Sequence, residues 1–546
     1  MYAPRTLLPI LLHFLQVHVQ YHFANNEHFD FVLLSFNSKA PTGNALRYVS
    51  FLQGSASGGG WFPRLSPQYP LKTAKHLDLK FAGACMNLEP RKFQEKSLYF
   101  TSLGCSKNLV DSQVMLGHLN LDGYSIAQSP EEAEVIIVNT CSFVEAAKVE
   151  SIETVLGLAN YKTEGNCKAL VMSGCMAQRY SNELEGEMPE VDMFIGTGEY
   201  HKIVPLLRAL EEGKLEKKSF VEIPRYIHTE FDPRLNTSPF YMAWLKISEG
   251  CNRNCTFCII PTLRGKLRSR TVDSLVKEAE QLVATGVREL NLISQDFSDY
   301  AVDLEGGGKK DGKNPMIYEL LSRLEQVKGV DWVRVFYFYP DDLTEDVMDL
   351  MAKSTKITKY LDMPVQHFAD GVLKRMNRRV TEEVIHEKIK ILREKIPGIV
   401  LRTSIIVGFP GETEEDFQAL LNGVKQARFN HLGVFKYSDE EGTPAVRLKN
   451  KISQDVIDER FELLYEAQKE IARELNQEYL GRIIDVLVEG VHEETNLLLQ
   501  GRHAGQAPDI DGKVIINDGF AKTGDIVKVE ITDVLDYDLV GRIITV

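Results

Sequence analysis

Three cysteines in a run of eight residues, Cys251-Asn-Arg-Asn-Cys255-Thr-Phe-Cys258, constrain this chain more than any other stretch. The C-x3-C-x2-C spacing lets three thiolates fold around one soft metal centre. A structural zinc site asks for four ligands, and no His or further Cys lies near this loop; a simple redox pair would need only two thiols. A four-iron four-sulfur cube held by three thiolates keeps one iron without a protein ligand. That open iron is a place to bind and cleave a substrate.

A second set of cysteines emerges from the strand pattern upstream. Over 96–212, strand-like runs at 97–103, 135–139 and 169–173 alternate with helical stretches at 112–122 and 146–160. The order predicts a doubly wound α/β domain with a parallel sheet, whose ligands collect beyond the carboxyl ends of the strands. Cys105, Cys141 and Cys175 each follow one of those runs. One such cysteine would read as a small buried hydrophobe. Three repeated placements predict a second metal centre, with Cys85 and Cys167 as non-ligands.

At 546 residues the chain should hold about three or four domains. Residues 1–95 differ from the rest in having few charges, a Gly/Ser-rich run at 54–60 and no regular apolar periodicity. They read as a non-homologous extension, unstructured or not part of the natural protein, with Met86 as the natural start. A charged stretch at 211–237 with Pro224 and Pro233 reads as a linker. From 240 to 477, strands at 287–294, 332–340, 360–366, 399–407 and 431–437 alternate with amphipathic helices at 272–284, 316–327, 345–353, 382–395 and 414–427. With the strand leading into Cys251, these make six βα units. An incomplete (βα)6 barrel over 237–470 is therefore expected, with its site at the carboxyl ends of the strands. A long helix at 453–480 leads into short strands and turns that predict a small all-β barrel within 471–546.

The loop at 251–258 and its flanks, Lys246-Ile-Ser-Glu-Gly250 and Ile259-Ile-Pro261, resemble the radical S-adenosylmethionine enzymes. Residues 101–200, including Asn108-Leu-Val-Asp-Ser112 and Gly174-Cys-Met-Ala-Gln-Arg-Tyr180, are similar to the methylthiotransferases among them, and the tail is similar to a TRAM domain. The resemblance implies two 4Fe-4S clusters, one on Cys251, Cys255 and Cys258, the other an auxiliary cluster on Cys105, Cys141 and Cys175. It implies S-adenosylmethionine on the open iron of the first, with a radical derived from it removing hydrogen from carbon. It further implies delivery of the sulfur through the second cluster, and an electron-donor protein such as a flavodoxin or ferredoxin. By the same resemblance, Phe257 sets backbone against the adenine, and Ser294, Gln295 and Asp296 meet the methionine amino group. Arg402 begins, and Gly408 and Pro410 end, the strand that passes the ribose and methionine. A tight turn capped by Thr413 is expected at that strand end as well.

Charge bears on the substrate. The whole chain carries a formal net charge of −14, and from Gly481 onward twelve acidic residues face six basic ones. TRAM modules often hold RNA, but an acidic barrel repels phosphate and attracts a basic protein, as ribosomal proteins are. The segments at 246–251, 293–296, 360–367 and 435–438 resemble the RimO-type branch, which modifies the β-carbon of an aspartate in the twelfth protein of the small ribosomal subunit. The tRNA-adenosine, MiaB-like branch is the alternative. A purely RNA-binding protein would leave six ordered cysteines idle, and a simple electron carrier has no use for the barrel. Eight cysteines are too few for a disulfide framework, and no run of eighteen apolar residues would span a membrane. A cytoplasmic enzyme is expected.

Overall fold

The computed structural model describes residue 93 and residues 95–544, apart from 309 and 312. All belong to one compact unit, Asn87–Val546. The expected extension, Phe93 and Glu95 excepted, lies outside the described residues, as do Met86 and Cys85.

Strands β1 (Ser97–Ser102), β2 (Ser125–Ile126), β3 (Val135–Thr140), β4 (Ala169–Gly174), β5 (Met193–Ile195) and β6 (Ser219–Phe220) form a parallel sheet in the order 2-1-3-4-5-6. Every residue of β3, Val-Ile-Ile-Val-Asn-Thr, is buried, as a central parallel strand covered on both faces must be. Helices α1 (Ser106–Leu121) and α4 (Ile203–Glu211) cover one face through Val114, Met115, Leu119, Ile203 and Leu207. Helices α2 (Glu145–Ala159) and α3 (Cys175–Glu187) cover the other through Val155, Leu158, Met176 and Leu184. This is the doubly wound arrangement expected, with two differences. Strand β6 falls inside the stretch read as a linker, because two residues are too few to show a period. Helix α1 starts at Ser106 rather than 112, because its first turns bury polar residues, Lys107, Asn108, Asp111 and Ser112, that an apolar pattern cannot register.

The central sheet is parallel, open and sequential: β7 (Met242–Lys246), β8 (Glu289–Ile293), β9 (Trp332–Val335), β10 (Ile357–Asp362), β11 (Val400–Val407) and β12 (His431–Lys436). Side chains alternate between its faces. Leu245, Leu290, Val333, Leu361 and Leu401 pack under the helices α5 (Val272–Ala284), α6 (Pro315–Leu324), α7 (Glu345–Lys353), α8 (Glu382–Lys395) and α9 (Glu414–Ala427). Met242, Trp244, Ile293, Trp332, Tyr360 and Val400 point to the other, concave face. Helix α10 (Gln454–Gln477) lies along the β12 edge, with Ile457, Leu464 and Ile471 joining the helix-side core at helical spacing.

Strands β13 (Ile483–His492), β14 (Thr495–His503), β15 (Val514–Asp518), β16 (Ile526–Val534) and β17 (Leu539–Ile543) close into a barrel in the order 13-14-15-17-16. Leu487 and Ala507 of this barrel join Trp244, Trp332 and Tyr360 on the concave face. Arg502 pairs with Glu289 at 2.7 Å, Gly505 O accepts from His431 Nε2 at 3.0 Å, and Tyr360 Oη donates to Asp511 at 2.9 Å. Glu289 and His431 are the first residues of their strands, so the barrel stops the amino-terminal end of the concave face. The carboxyl end is left to the amino-terminal sheet. Among the described residues no helix is long and apolar enough to cross a membrane.

Candidate active site

The 251–258 loop leaves the carboxyl end of β7 and is fixed by its neighbours. Cys251 N donates to Gly265 O at 3.2 Å, Thr256 N to Met376 O at 3.1 Å, and Ala445 N to Thr256 O at 2.9 Å. Gly250 turns the chain at φ +80°, where a Cβ would lie 2.5 Å from Gly265 O. Cys251, Cys255 and Cys258 are all partly exposed. Burial pushes Cys251 and Cys258 to about 12, with the nearby Cys255 thiol adding to both rises and Cys258 adding to that of Cys251, so the three stand close together.

The second set converges from three strand ends. Cys105 is the N-cap of α1, Cys141 follows β3, and Cys175 opens α3. Two glycines in the left-handed region permit the crowding. A Cβ on Gly104 (φ +83°) would lie 2.6 Å from Cys141 Cβ, and one on Gly174 (φ +93°) 2.6 Å from Thr140 O. Asn139 Nδ2 donates to Asn108 O and to Ser112 Oγ, both at 2.8 Å, and Asn108 Nδ2 donates to Leu103 O at 2.7 Å, lacing β1, β3 and α1 together. Burial pushes Cys141 to about 12, with Cys175 and Cys105 adding to the rise, and burial raises Cys175 too. Cys167 is buried before β4 and donates to Ala169 O at 3.4 Å, apart from this set.

The two sets are neighbours. Cys175 packs in one small apolar cluster with Ile259 and Leu263, which directly follow the first cysteine loop. Beside them lies a buried ionic network that sequence reasoning missed. Lys246, fully buried at the end of β7, bonds Asp111 of α1 and, at 2.7 Å, Glu249. Arg264 reaches Asp111 at 2.5 Å, Glu249 at 3.3 Å, Asn108 Oδ1 at 3.1 Å and Cys175 Sγ at 3.4 Å. A lysine ending an otherwise apolar strand was the available signal. Across the gap, Glu440 of the loop after β12 receives Arg179 at 2.9 Å and Lys148 at 3.2 Å, both from the amino-terminal domain. That domain therefore grips both edges of the open sheet at its carboxyl end.

The other expected contacts divide. Phe257 packs with Phe409, Ala445 and Met376, which brings it beside Gly408 and Pro410. Gly408 has φ +74° and its N donates to Glu412 at 3.0 Å, and Thr413 caps α9 through a capping box, so the expected turn is present. Asp296 is tied to Arg253 of the cysteine loop at 2.6 Å. Arg402 pairs with Asp362 at 3.1 Å and with Asp511 of the terminal barrel at 3.4 Å. It lies about 20 Å along β11 from Gly408, at the stoppered end rather than beside the cysteines.

Residues 97–196 match the uncharacterized protein family UPF0004, 245–423 the radical SAM superfamily and 480–544 the TRAM domain. Curated relatives named ribosomal protein uS12 methylthiotransferase RimO cover nearly the same span. The Bdellovibrio bacteriovorus protein is 48% identical over 451 residues, 83% of this chain and 98% of the relative. That of Myxococcus xanthus is 50% identical over 449 residues, 82% and 92% respectively. The chain belongs to the RimO methylthiotransferase family. It is by that membership a radical SAM methylthiotransferase.

The donor sets fit what RimO-type chemistry requires. Among the described residues no three Cys, His, Asp or Glu side chains stand close enough to share one metal ion. In a four-iron cube each thiolate takes a different iron, so its ligands stand farther apart than those of a single ion. Thiols held protonated by burial give up their protons only to a strongly bound metal centre. Ser294 Oγ, Gln295 Oε1 and Ser248 Oγ, at the carboxyl ends of β7 and β8, are buried without hydrogen-bond partners. Each such atom costs about 1–3 kcal/mol unless something polar meets it, which suits a polar ligand such as S-adenosylmethionine.

Proposed function

We propose that this enzyme methylthiolates the β-carbon of an aspartate in ribosomal protein uS12, in the cytoplasm, using two 4Fe-4S clusters and S-adenosylmethionine. Cys251, Cys255 and Cys258 hold one cluster, and Cys105, Cys141 and Cys175 the other. When bound, these groups supply a radical able to open an unactivated C–H bond and the sulfur that replaces the hydrogen. The chain's own residues position and shield. Ser294 and Gln295 offer free buried polar atoms to the methionine end of S-adenosylmethionine. Phe257, Gly408 and Pro410 line its adenosine side. Asp296 acts through Arg253, fixing the cysteine loop. The network of Lys246, Asp111, Glu249 and Arg264 holds the amino-terminal domain over the carboxyl end of the sheet and keeps water from the space between the sites. An electron-donor protein such as a flavodoxin or ferredoxin serves the first cluster.

The observation that best supports this reading is the packing of Cys175 against Ile259 and Leu263, which follow the first cysteine loop. The choice of substrate is supported by the names of the relatives and by the acidic tail. Mass spectrometry of ribosomal proteins and tRNA from cells with and without the gene tests it. The expected result is loss of one methylthio mass from uS12 with tRNA unchanged. Loss from a tRNA adenosine instead would overturn the substrate and keep the chemistry.

A further inference from the structure

We propose that Arg264 is a positioning residue that sets the electron affinity of the site built on Cys105, Cys141 and Cys175. This rests on the reading that those cysteines hold a cluster. Arg264 comes from the other domain, in the short helix Ile260–Arg264 that directly follows the first cysteine loop, yet its guanidinium is buried against the second set and points an N–H at Cys175 Sγ, 3.4 Å away. The other donors on its two Nη atoms are committed. Asp111, Glu249 and Asn108 hold the planar fork in place, so the N–H aimed at sulfur cannot swing elsewhere. Arginine does not lose its proton in proteins, so the donor is permanent.

Hydrogen bonds to the sulfurs and the net charge nearby are what set the reduction potential of an iron-sulfur cluster. Here the charge is countable. Lys246 and Arg264 balance Asp111 and Glu249, so the buried network is neutral. Removing Arg264 leaves it one unit negative and removes the bond to sulfur, and both changes disfavour an added electron. Removing the charge of Asp111 leaves it one unit positive and favours one. A residue that merely braced the interface would not produce shifts of opposite sign.

The test uses the full-length chain carrying Cys251→Ala, Cys255→Ala and Cys258→Ala, so that only the second site can hold iron. Iron and acid-labile sulfide are counted, and the cluster is titrated electrochemically with detection by electron paramagnetic resonance. Arg264→Gln should shift the reduced-to-oxidised ratio at fixed potential at least tenfold toward oxidised, about 59 mV for one electron. Asp111→Asn should shift it toward reduced, and Arg264→Lys should recover part of the loss. Asp111→Asn keeps the arginine and stays informative even where Arg264→Gln does not assemble. Unchanged potentials, or shifts of one sign in both variants, would overturn the role of Arg264. Absence of iron from the background protein would instead overturn the cluster reading itself.

Discussion

Gly174 carries more of the second site than its lack of a side chain suggests. At φ +93° it lets β4 end against Asn139 and Thr140, so that Cys175 enters α3 facing Cys141. In Gly174→Ala the new methyl meets Asn139 Oδ1 and Thr140 O in a conformation that L residues avoid, at a cost of about 1–3 kcal/mol. Two measurements check it: a lower urea midpoint, and iron per chain falling from about eight toward about four as the auxiliary cluster is lost. Full iron at an unchanged midpoint would mean that the strand end relaxes freely. Single residues differed in how far the sequence exposed them. The six cysteines were legible because spacing, and position after strands, are local properties. Lys246 and Asp111 were not, because a buried charge is explained only by a partner, and these partners lie on different domains.

The regular elements show the same division. Strands such as β3 and β8 and helices such as α8 and α9 were legible because alternation and 3.6-residue periods repeat within each segment. The loop after β12 has no period, yet it closes the enzyme. Glu440 is buried between Lys148 and Arg179, and Arg179 also donates to Ser142 O at 2.9 Å and Glu441 O at 2.6 Å, beside Cys141. Glu440→Gln leaves two buried cations whose remaining partners are Glu145, backbone carbonyls and the Tyr180 ring under Arg179. Breaking a buried pair in this way costs about 3–5 kcal/mol when no other partner remains, and less here because Glu145 still holds Lys148 at 2.6 Å. The amino-terminal domain should then lift from this edge. Hydrogen exchange should rise both at 142–152 and at 436–445; a rise at only one of them would show that the loop is held independently of the domain.

At the scale of the whole molecule, the open central sheet is stopped at one end by the terminal barrel and roofed at the other by the amino-terminal domain. No sequence period encodes that closure, nor the ion pairs that Arg402 makes with Asp362 and Asp511 at the stoppered end. Some of the tail's acidity is spent there too, with Glu489 on Arg502 and Asp511 on Arg402. His503 sits in this junction. Its Nδ1 accepts Gly505 N–H at 3.0 Å, which requires a neutral ring, and burial together with His431, Arg334 and Arg502 brings its pKa down to about 3. The unfolded ring titrates near the ordinary value of about 6.5. Above that pH both states are neutral and nothing is lost. As pH falls from about 6.5 toward 3, the unfolded chain takes a proton that the folded junction refuses, and stability drops by up to about 1.4 kcal/mol per pH unit. His503→Gln keeps a hydrogen-bond acceptor but cannot titrate. Its unfolding free energy should therefore fall less between pH 7.5 and pH 5 than that of the parent, with the difference in slope approaching one proton only toward pH 5. In the parent, protection of the barrel strands β13 and β14, relative to intrinsic exchange rates, should fall over the same interval, because opening lets the ring take the proton that the folded junction refuses. Equal slopes in the two proteins would mean that the junction rearranges to accept the charged ring.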